Sequence, residues 1–324
     1  MKPATIHDVA VYAGVSTATV SHVINGTRFV SEPTAAKVQE AIRALSFMPN
    51  ASARSFKTGR KNIIGFILPD ISNTTFSTIM EEIELVLQKQ GYNLIVTNTK
   101  ENKLQEINHL RALSSGLVDG IILASTLEEY SDITDNLPNN FPLVLIDRIP
   151  HNSYADSVLL ADRNSIRNGV LALIEKGYRK IGYIAGLKHL STTRERLETY
   201  QDTLKENDLY FPELVKYANS MSKSAIHCAQ ELTEAGCDAI IASNNIMTID
   251  TINYVQNYME KGGNPICVLG YETNMLYSWL PRPGFFAYPT RDMGRMAGEQ
   301  IMKRIAHPDA PLQKITITSY FMPY

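Results

Sequence analysis

The chain has 324 residues, of which 44% are hydrophobic and 20% charged, and its net charge is −2, a globular composition long enough for more than one domain. No run of about 18 apolar residues occurs, and the polar start Met1-Lys2-Pro3-Ala4-Thr5 lacks the apolar stretch of a secretory signal, so the expected place is the cytoplasm, with no membrane partner. Cys228, Cys237 and Cys267 have neither CxxC spacing nor nearby histidines, which argues against a metal site or a disulfide framework and leaves buried thiols.

Charge is unevenly placed. Up to Lys61 eight Lys or Arg stand against three Asp or Glu, while the remainder carries 23 basic and 30 acidic residues. A basic head on an acidic body suggests that only the head meets a polyanion.

In chain order, Ile6, Val9, Ala10 and Ala13 fall at helical spacing, with Thr5 as N-cap and Asp8 three residues on as the second half of a capping box. Gly14 can take a positive φ at that helix end, and Ser16 can cap a second helix whose inner side is Val20, Val23 and Ile24. Two short helices joined by about three residues form a helix-turn-helix, whose second helix can enter the DNA major groove. Its outward residues, Thr17, Ala18, Ser21, His22 and Asn25, are small or hydrogen-bonding and allow close approach to base edges. Ser31 is placed to cap a third helix, with Pro33 in its first turn and Val38, Ala41, Ile42 and Leu45 facing inward. After Pro49, the stretch Asn50 to Arg60 could make two helical turns with Arg54 and Lys57 exposed and Phe56 apolar, but alone it is too short to be stable.

From Ile63 onward strand-length apolar runs alternate with helical patterns. The expected strands are Ile63–Leu68, Leu94–Val96, Gly120–Ala124 and Leu143–Ile146, then Ile181–Ala185, Ala239–Ala242 and Ile266–Leu269; helices are expected near 164–176, 193–206, 223–235 and 247–261. Parallel strands need helical crossovers, so the reading is two doubly wound α/β lobes, with the chain crossing between them near 148–160 and again after 275. No GxGxxG, GxxxxGK[ST] or GxSxG occurs in the body, so nucleotide-dependent and serine-hydrolase chemistry is not expected. In open α/β sheets ligands bind beyond the carboxyl ends of strands, and two lobes can face those ends across a cleft.

The stretches "TIHDVAVYAGVSTATVSHVINGTRFVSEPT" and "PNASARSFKTGRKNIIGFILPDISN" resemble the lactose-repressor family of bacterial transcription regulators over nearly the whole chain, the head being most similar to the purine-repressor and ribose-repressor branch. The resemblance implies a fold of a small all-α helix-turn-helix head plus two lobes of the periplasmic-binding-protein type, divided as 1–49 for the head, 50–61 for a hinge helix and linker, and 62–324 for ligand binding and dimerisation. It implies a homodimer reading a palindromic operator in double-stranded DNA, with contacts from Thr5, Ser16, Thr17, Ala18, Thr19, Ser21, His22 and Asn25 in the head and from Asn50, Ala53, Arg54, Phe56 and Lys57 in the hinge. Phe56 stands where the family usually has leucine, and an apolar wedge of this kind kinks DNA at the minor groove. His22 stands where many members carry arginine; an imidazole offers one donor or acceptor without arginine's bidentate fork, which leaves the base it prefers open.

In the body, "DISNTTF" is similar to the family's "DISNPFF" and suggests Asn73, Thr75 and Phe76 at a ligand cleft, Phe76 either stacking on a ligand or serving as core. "IDR" suggests Asp147 and Arg148, "STTRERLETY" suggests Arg196, "ASNNIM" suggests Asn244 with Asn245 in place of an aspartate, and "GYET" suggests Glu272 in place of another. Departures at Pro283-Gly284-Phe285, with Trp279 upstream, could narrow the cleft. Carboxylates, amides and an arginine suit a hydroxyl-rich ligand, so the expected effector is a sugar, with a purine second and a ligand-independent repressor with a degenerate cleft as a further alternative. No catalytic residue, metal or cofactor is expected. A periplasmic sugar-binding protein shares the two-lobed body but has no use for the head. The ending "ITITSYFMPY" carries no heptad tail for a tetramer, and a dimer is expected.

Overall fold

A computed structural model describes residues 4–48, 59–271 and 284–323, and the chain divides into two compact units, Met1–Lys61 and Asn62–Tyr324. The hinge candidates Asn50, Ala53, Arg54, Phe56 and Lys57, the cleft candidate Glu272, and Trp279 and Pro283 lie outside the described residues.

The first unit is built from three helices, α1 (Ile6–Ala13), α2 (Thr17–Asn25) and α3 (Glu32–Ala44). Thr5 and Asp8 form the reciprocal capping box, and Gly14, at φ 64°, ends α1 in the left-handed region that a side chain would disfavour. Ser16 caps α2 by accepting from the Thr19 amide at 3.1 Å. Ser31 occupies the cap position of α3 but makes no capping bond; its hydroxyl pairs with that of Thr34 instead. Val9, Ala10, Ala13, Val20, Val38, Ala41 and Phe47 form the core. Ile6, expected inside, is 38% exposed, because as the first helical residue it overhangs a core that Ala4 closes there.

In the second unit, β1 (Ile63–Leu68), β2 (Asn93–Asn98), β3 (Gly120–Leu123), β4 (Leu143–Ile146), β5 (Asp156–Ala161) and β11 (Lys314–Thr318) make a parallel sheet in the order β11-β5-β4-β3-β1-β2. A second parallel sheet has the order β7 (Val215–Tyr217), β6 (Ile181–Ala185), β8 (Ala239–Ala242), β9 (Cys267–Leu269). Apolar clusters fill both faces of each sheet, the doubly wound arrangement that makes buried parallel strands continuous apolar runs. The three cysteines are buried free thiols in the second lobe.

The crossings between lobes differ from the sequence expectation. The first comes after Ala161, not at 148–160, because Asp156–Ala161 joins the first sheet beside Leu143–Ile146 and Lys314–Thr318. This strand opens on Asp156, a polar residue that is fully buried because Arg304 pairs with it through Nε (2.7 Å) and Nη2 (3.1 Å) from a helix 148 residues away. Beyond the second lobe, β10 (Gly284–Ala287) pairs antiparallel with β12 (Tyr320–Pro323) against the second-lobe core, while the helix Thr290–Ala306 packs on the first lobe. Among the described residues the chain therefore changes lobe three times. That helix approaches Thr74–Lys89 so closely that a Cβ on Gly294 would stand 2.4 Å from the Ile79 carbonyl oxygen. Among the described residues no helix is long and apolar enough to cross a membrane.

Candidate functional site

Two sites emerge, one in each unit. In the first, α2 and its cap present Ser16, Thr17, Ala18 and Asn25 exposed, with Thr19, Ser21 and His22 half-buried and Val20 turned into the core. Thr5 is exposed with its hydroxyl committed to Asp8. Asn25 donates its amide back to the Ser21 carbonyl at 2.8 Å, and the Nδ1 of His22 lies 2.9 Å from the Thr27 hydroxyl. The face thus offers hydroxyls, an amide and an imidazole, with Ala18 its sole apolar side chain. Exposed Arg28, Lys37 and Arg43 lie in the same unit.

In the second unit, a cleft of about 830 Å³, its open mouth included, lies between the carboxyl ends of the two sheets. The structure brings Asn73, Thr75, Phe76, Asp147, Arg148, Arg196 and Asn244 together on its walls. Asn73 caps Thr74–Lys89 by accepting from the Thr75 amide (3.0 Å), and Asn244 caps the helix Asn245–Glu260 by accepting from the Met247 amide (2.8 Å). Caps stand at cleft walls because a strand's carboxyl end leads directly into a helix amino end. Phe76 is 4% exposed and packs in the first-lobe core, so it serves as core while also lining the cleft.

The two arginines are each held by a carboxylate. Arg148 grips Glu101 with two parallel bonds of 2.8 Å, a fork-to-fork geometry that adds direction to the charge attraction. Burial pushes the Glu101 carboxyl up, and Arg148 outweighs it, leaving the group below its ordinary range. Arg196, 6% exposed, donates from Nε to Asp162 at 2.5 Å and from Nη1 to the Ser243 carbonyl at 2.7 Å, and its guanidinium lies 4.4 Å from the Tyr271 ring centroid. Burial opposes the Arg196 charge, but Asp162 and the neighbouring tyrosine rings outweigh it and keep the group charged. Among the described residues its buried Nη2 has no hydrogen-bond partner. Burial is likewise the largest cause that lifts the Tyr271 and Tyr288 hydroxyls far above the ordinary phenol range, so both are donors: Tyr271 to Asp162 at 2.9 Å and Tyr288 to Asp147. Asp147 sits in the left-handed region at φ 64°, a strained conformation found where a strand turns sharply out of its sheet. Across the cleft, Asn245 donates to Asn73 at 2.7 Å, tying one lobe to the other.

Residues 5–50 match the family described as "Bacterial regulatory proteins, lacI family", and residues 61–322 match "Periplasmic binding proteins and sugar binding domain of LacI family". The chain belongs to the lacI family. Among curated relatives, this lacI-family chain is 33% identical over 310 residues to the HTH-type transcriptional repressor PurR of Aliivibrio salmonicida, covering 93% of this chain and 92% of that protein. It is 31% identical over 328 residues to the Ribose operon repressor of Escherichia coli K12, covering 98% of each. Among solved structures, the fold is similar to the lac repressor dimer bound to operator and the anti-inducer ONPF (TM-score 0.83, 21% identity, 99% of this chain and 98% of that one). It is also similar to the transcriptional regulator CelR in complex with cellobiose (TM-score 0.70, 23% identity, 98% of each). The lacI-family chain is accordingly a DNA-binding transcription regulator with a ligand-binding domain, in a family of regulators and not of enzymes.

Several cleft residues were not singled out from the sequence. Glu101 follows β2 by three positions and Tyr271 follows β9 by two, so the rule that cleft residues lie just beyond strand ends could have found both. Tyr288 follows β10, a strand the periodicity did not reveal, and Asp162 and Ser243 matter through Arg196, a relation no local pattern carries.

Proposed function

We propose that the protein is a homodimeric repressor of the cytoplasm that reads a palindromic operator through Thr17–Asn25, and that a small, neutral, hydroxyl-rich molecule in the cleft, a sugar, sets its operator affinity. The observation that carries the ligand reading is the charge arrangement of the cleft. Arg148 is matched by Glu101 and Arg196 by Asp162, so among the described residues neither cleft arginine is left over for a phosphate or carboxylate, while Arg196 Nη2 is a buried donor without an acceptor among them. A buried donor without a partner costs about 1–3 kcal/mol, which a sugar hydroxyl lining up with Nη2 recovers on binding. Asp147, Asn73 and Thr75 supply the complementary acceptors and donors for further hydroxyls.

A purine is the second reading, favoured by the purine-repressor relatives at 33% identity. Against it, the Tyr271 ring is already covered by Arg196 and the Phe76 ring is 4% exposed, so among the described residues neither offers a bare platform for a base to stack on. Thermal melting of the full-length protein across neutral sugars, sugar phosphates and nucleobases tests this: a ligand at a hundred times its Kd stabilises the body by about 2.7 kcal/mol. A shift with a neutral sugar supports the reading, a shift with a nucleobase selects the second, and no shift with any compound selects a ligand-independent repressor. Closure of the lobes around the ligand, coupled to operator affinity by about 1–3 kcal/mol, completes the proposal, and both inducer and corepressor are compatible with it.

A further inference from the structure

We propose that Thr27 is a positioning residue for DNA reading: its hydroxyl holds the His22 imidazole by the Nδ1 edge, so that Nε2 is the ring atom offered outward from the recognition helix. The inference rests on the proposed reading of Thr17–Asn25 as the base-reading helix, and it names how one residue of that helix acquires its selectivity.

The geometry is local. Gly26 ends the helix at φ 62°, in the left-handed region, and reverses the chain so that Thr27 comes back beside a residue one turn inside the helix. The residue after such a left-handed glycine commonly makes an apolar contact with the helix at this place. Here the contact is a hydrogen bond of 2.9 Å between Thr27 Oγ1 and His22 Nδ1. Neighbouring polar bonds on the face behave differently: Ser16 with Thr19, and Asn25 with Ser21, join residues three or four apart along the same helix. The His22–Thr27 bond instead ties the reading face to the turn that follows it.

An unanchored imidazole can turn about its χ2 bond and present different edges to a base. The bond to Thr27 fixes which edge faces out without fixing what that edge says. When the threonine hydroxyl donates to Nδ1, Nε2 carries the proton and reads an acceptor, such as guanine O6 or N7 or thymine O4. When Nδ1–H donates to the hydroxyl, Nε2 reads a donor, such as the adenine or cytosine amino group. A hydroxyl rotor serves either case, so Thr27 confers orientation and leaves the base identity to the groove. Removal of the hydroxyl is therefore expected to blur discrimination at one base pair and not to weaken binding everywhere.

The test is sequencing of DNA selected from random oligonucleotides by the full-length protein, followed by competition titrations, for the wild type, His22→Ala, Thr27→Val, Thr27→Ser and the double variant His22→Ala with Thr27→Val. His22→Ala marks the base pair that His22 reads. Thr27→Val is expected to lower discrimination at that base pair roughly fivefold, the worth of one hydrogen bond, with the other positions and the salt dependence unchanged. Thr27→Ser is expected to retain the wild-type preference, and Thr27→Val to add nothing in the His22→Ala background. Undiminished discrimination in Thr27→Val, or an equal loss at every position, would overturn the positioning role and leave the base-reading helix standing. A wild type that enriches no palindrome, or a His22→Ala variant that alters no position, would overturn the reading of the helix and the proposal with it.

Discussion

The recognition head and the effector cleft contrast in how they are assembled. Among the described residues the side-chain bonds on the head's outward face join residues three to five apart, from the Thr5–Asp8 capping box to His22 and Thr27. Apart from the two helix caps at its walls, the bonds that pair the cleft's charges and tie its lobes join residues far apart: Glu101 with Arg148, Asp162 with Arg196, Ser243 with Arg196, and Asn73 with Asn245 across 172 positions. A surface written in one short helix can change its specificity one residue at a time. A cleft held by paired buried charges resists such change, since removing either partner strands the other.

The largest expected effect therefore falls on the cleft. Arg196→Met leaves Asp162 buried without its cation and the Ser243 carbonyl without its donor, a loss of about 3–5 kcal/mol. Calorimetry is expected to show the body's transition lowered by roughly 10 °C, and an unchanged transition would remove the Arg196–Asp162 pair from the list of what holds the cleft. In the head, Val20→Ala takes volume from a small core and costs about 2 kcal/mol. Because the head has so little core, DNA binding is expected to fall steeply while the body's transition stays in place; a joint shift would mean that the two units do not unfold separately.

The same contrast decided what was legible in the sequence. Caps, turn glycines and helical spacing located all three head helices, because each signal lies within a few residues of the element it marks. Strands such as Ile63–Leu68 and Leu143–Ile146 were legible as uninterrupted apolar runs. Asp156–Ala161 was not, since its buried Asp156 depends on Arg304, and the exposed Lys314–Thr318 strand alternates as an edge strand and has no apolar run. Asn73, Asp147, Arg148, Arg196 and Asn244 were picked out by motif resemblance and strand ends, and the strand-end rule reaches Glu101 too, whereas Asp162 and Tyr288 owe their places to partners that only the fold brings near.

A smaller and pH-dependent effect sharpens the comparison. Glu101 has its carboxyl pushed up by burial and pulled further down by Arg148, so its folded value lies below the ordinary 4.5. A lowered carboxylate stabilises the fold above the unfolded value and loses that contribution as pH falls through the folded one. Glu106 has the opposite sign: burial raises it against the bonds from Ser125 and Thr126, so its proton-bound form is the stabilising one and the benefit is lost as pH rises. Glu101→Gln is expected to lower stability at neutral pH and to flatten the decline in melting temperature below about pH 4.5. An unaltered acid limb would show that the pair contributes nothing to the body's acid sensitivity.

The smallest expected effect is at the contact between the lobes. Asn245→Ala removes the bond to Asn73, about 1 kcal/mol, and is expected to open the cleft slightly, visible as a larger radius of gyration by small-angle scattering and a several-fold weaker effector affinity. Equal dimensions and affinity would mean that the bond follows closure without favouring it.

The most direct test of the central claim, a head that reads DNA under the control of a body that binds a small neutral molecule, is sequencing of DNA selected by the full-length protein with and without a panel of neutral sugars, sugar phosphates and nucleobases. The expected result is an enriched palindrome of two half-sites whose recovery rises or falls with one neutral sugar, the direction giving the sign of the switch. No enriched palindrome under any condition, or one whose recovery no compound alters, would contradict the claim, the first at the head and the second at the cleft.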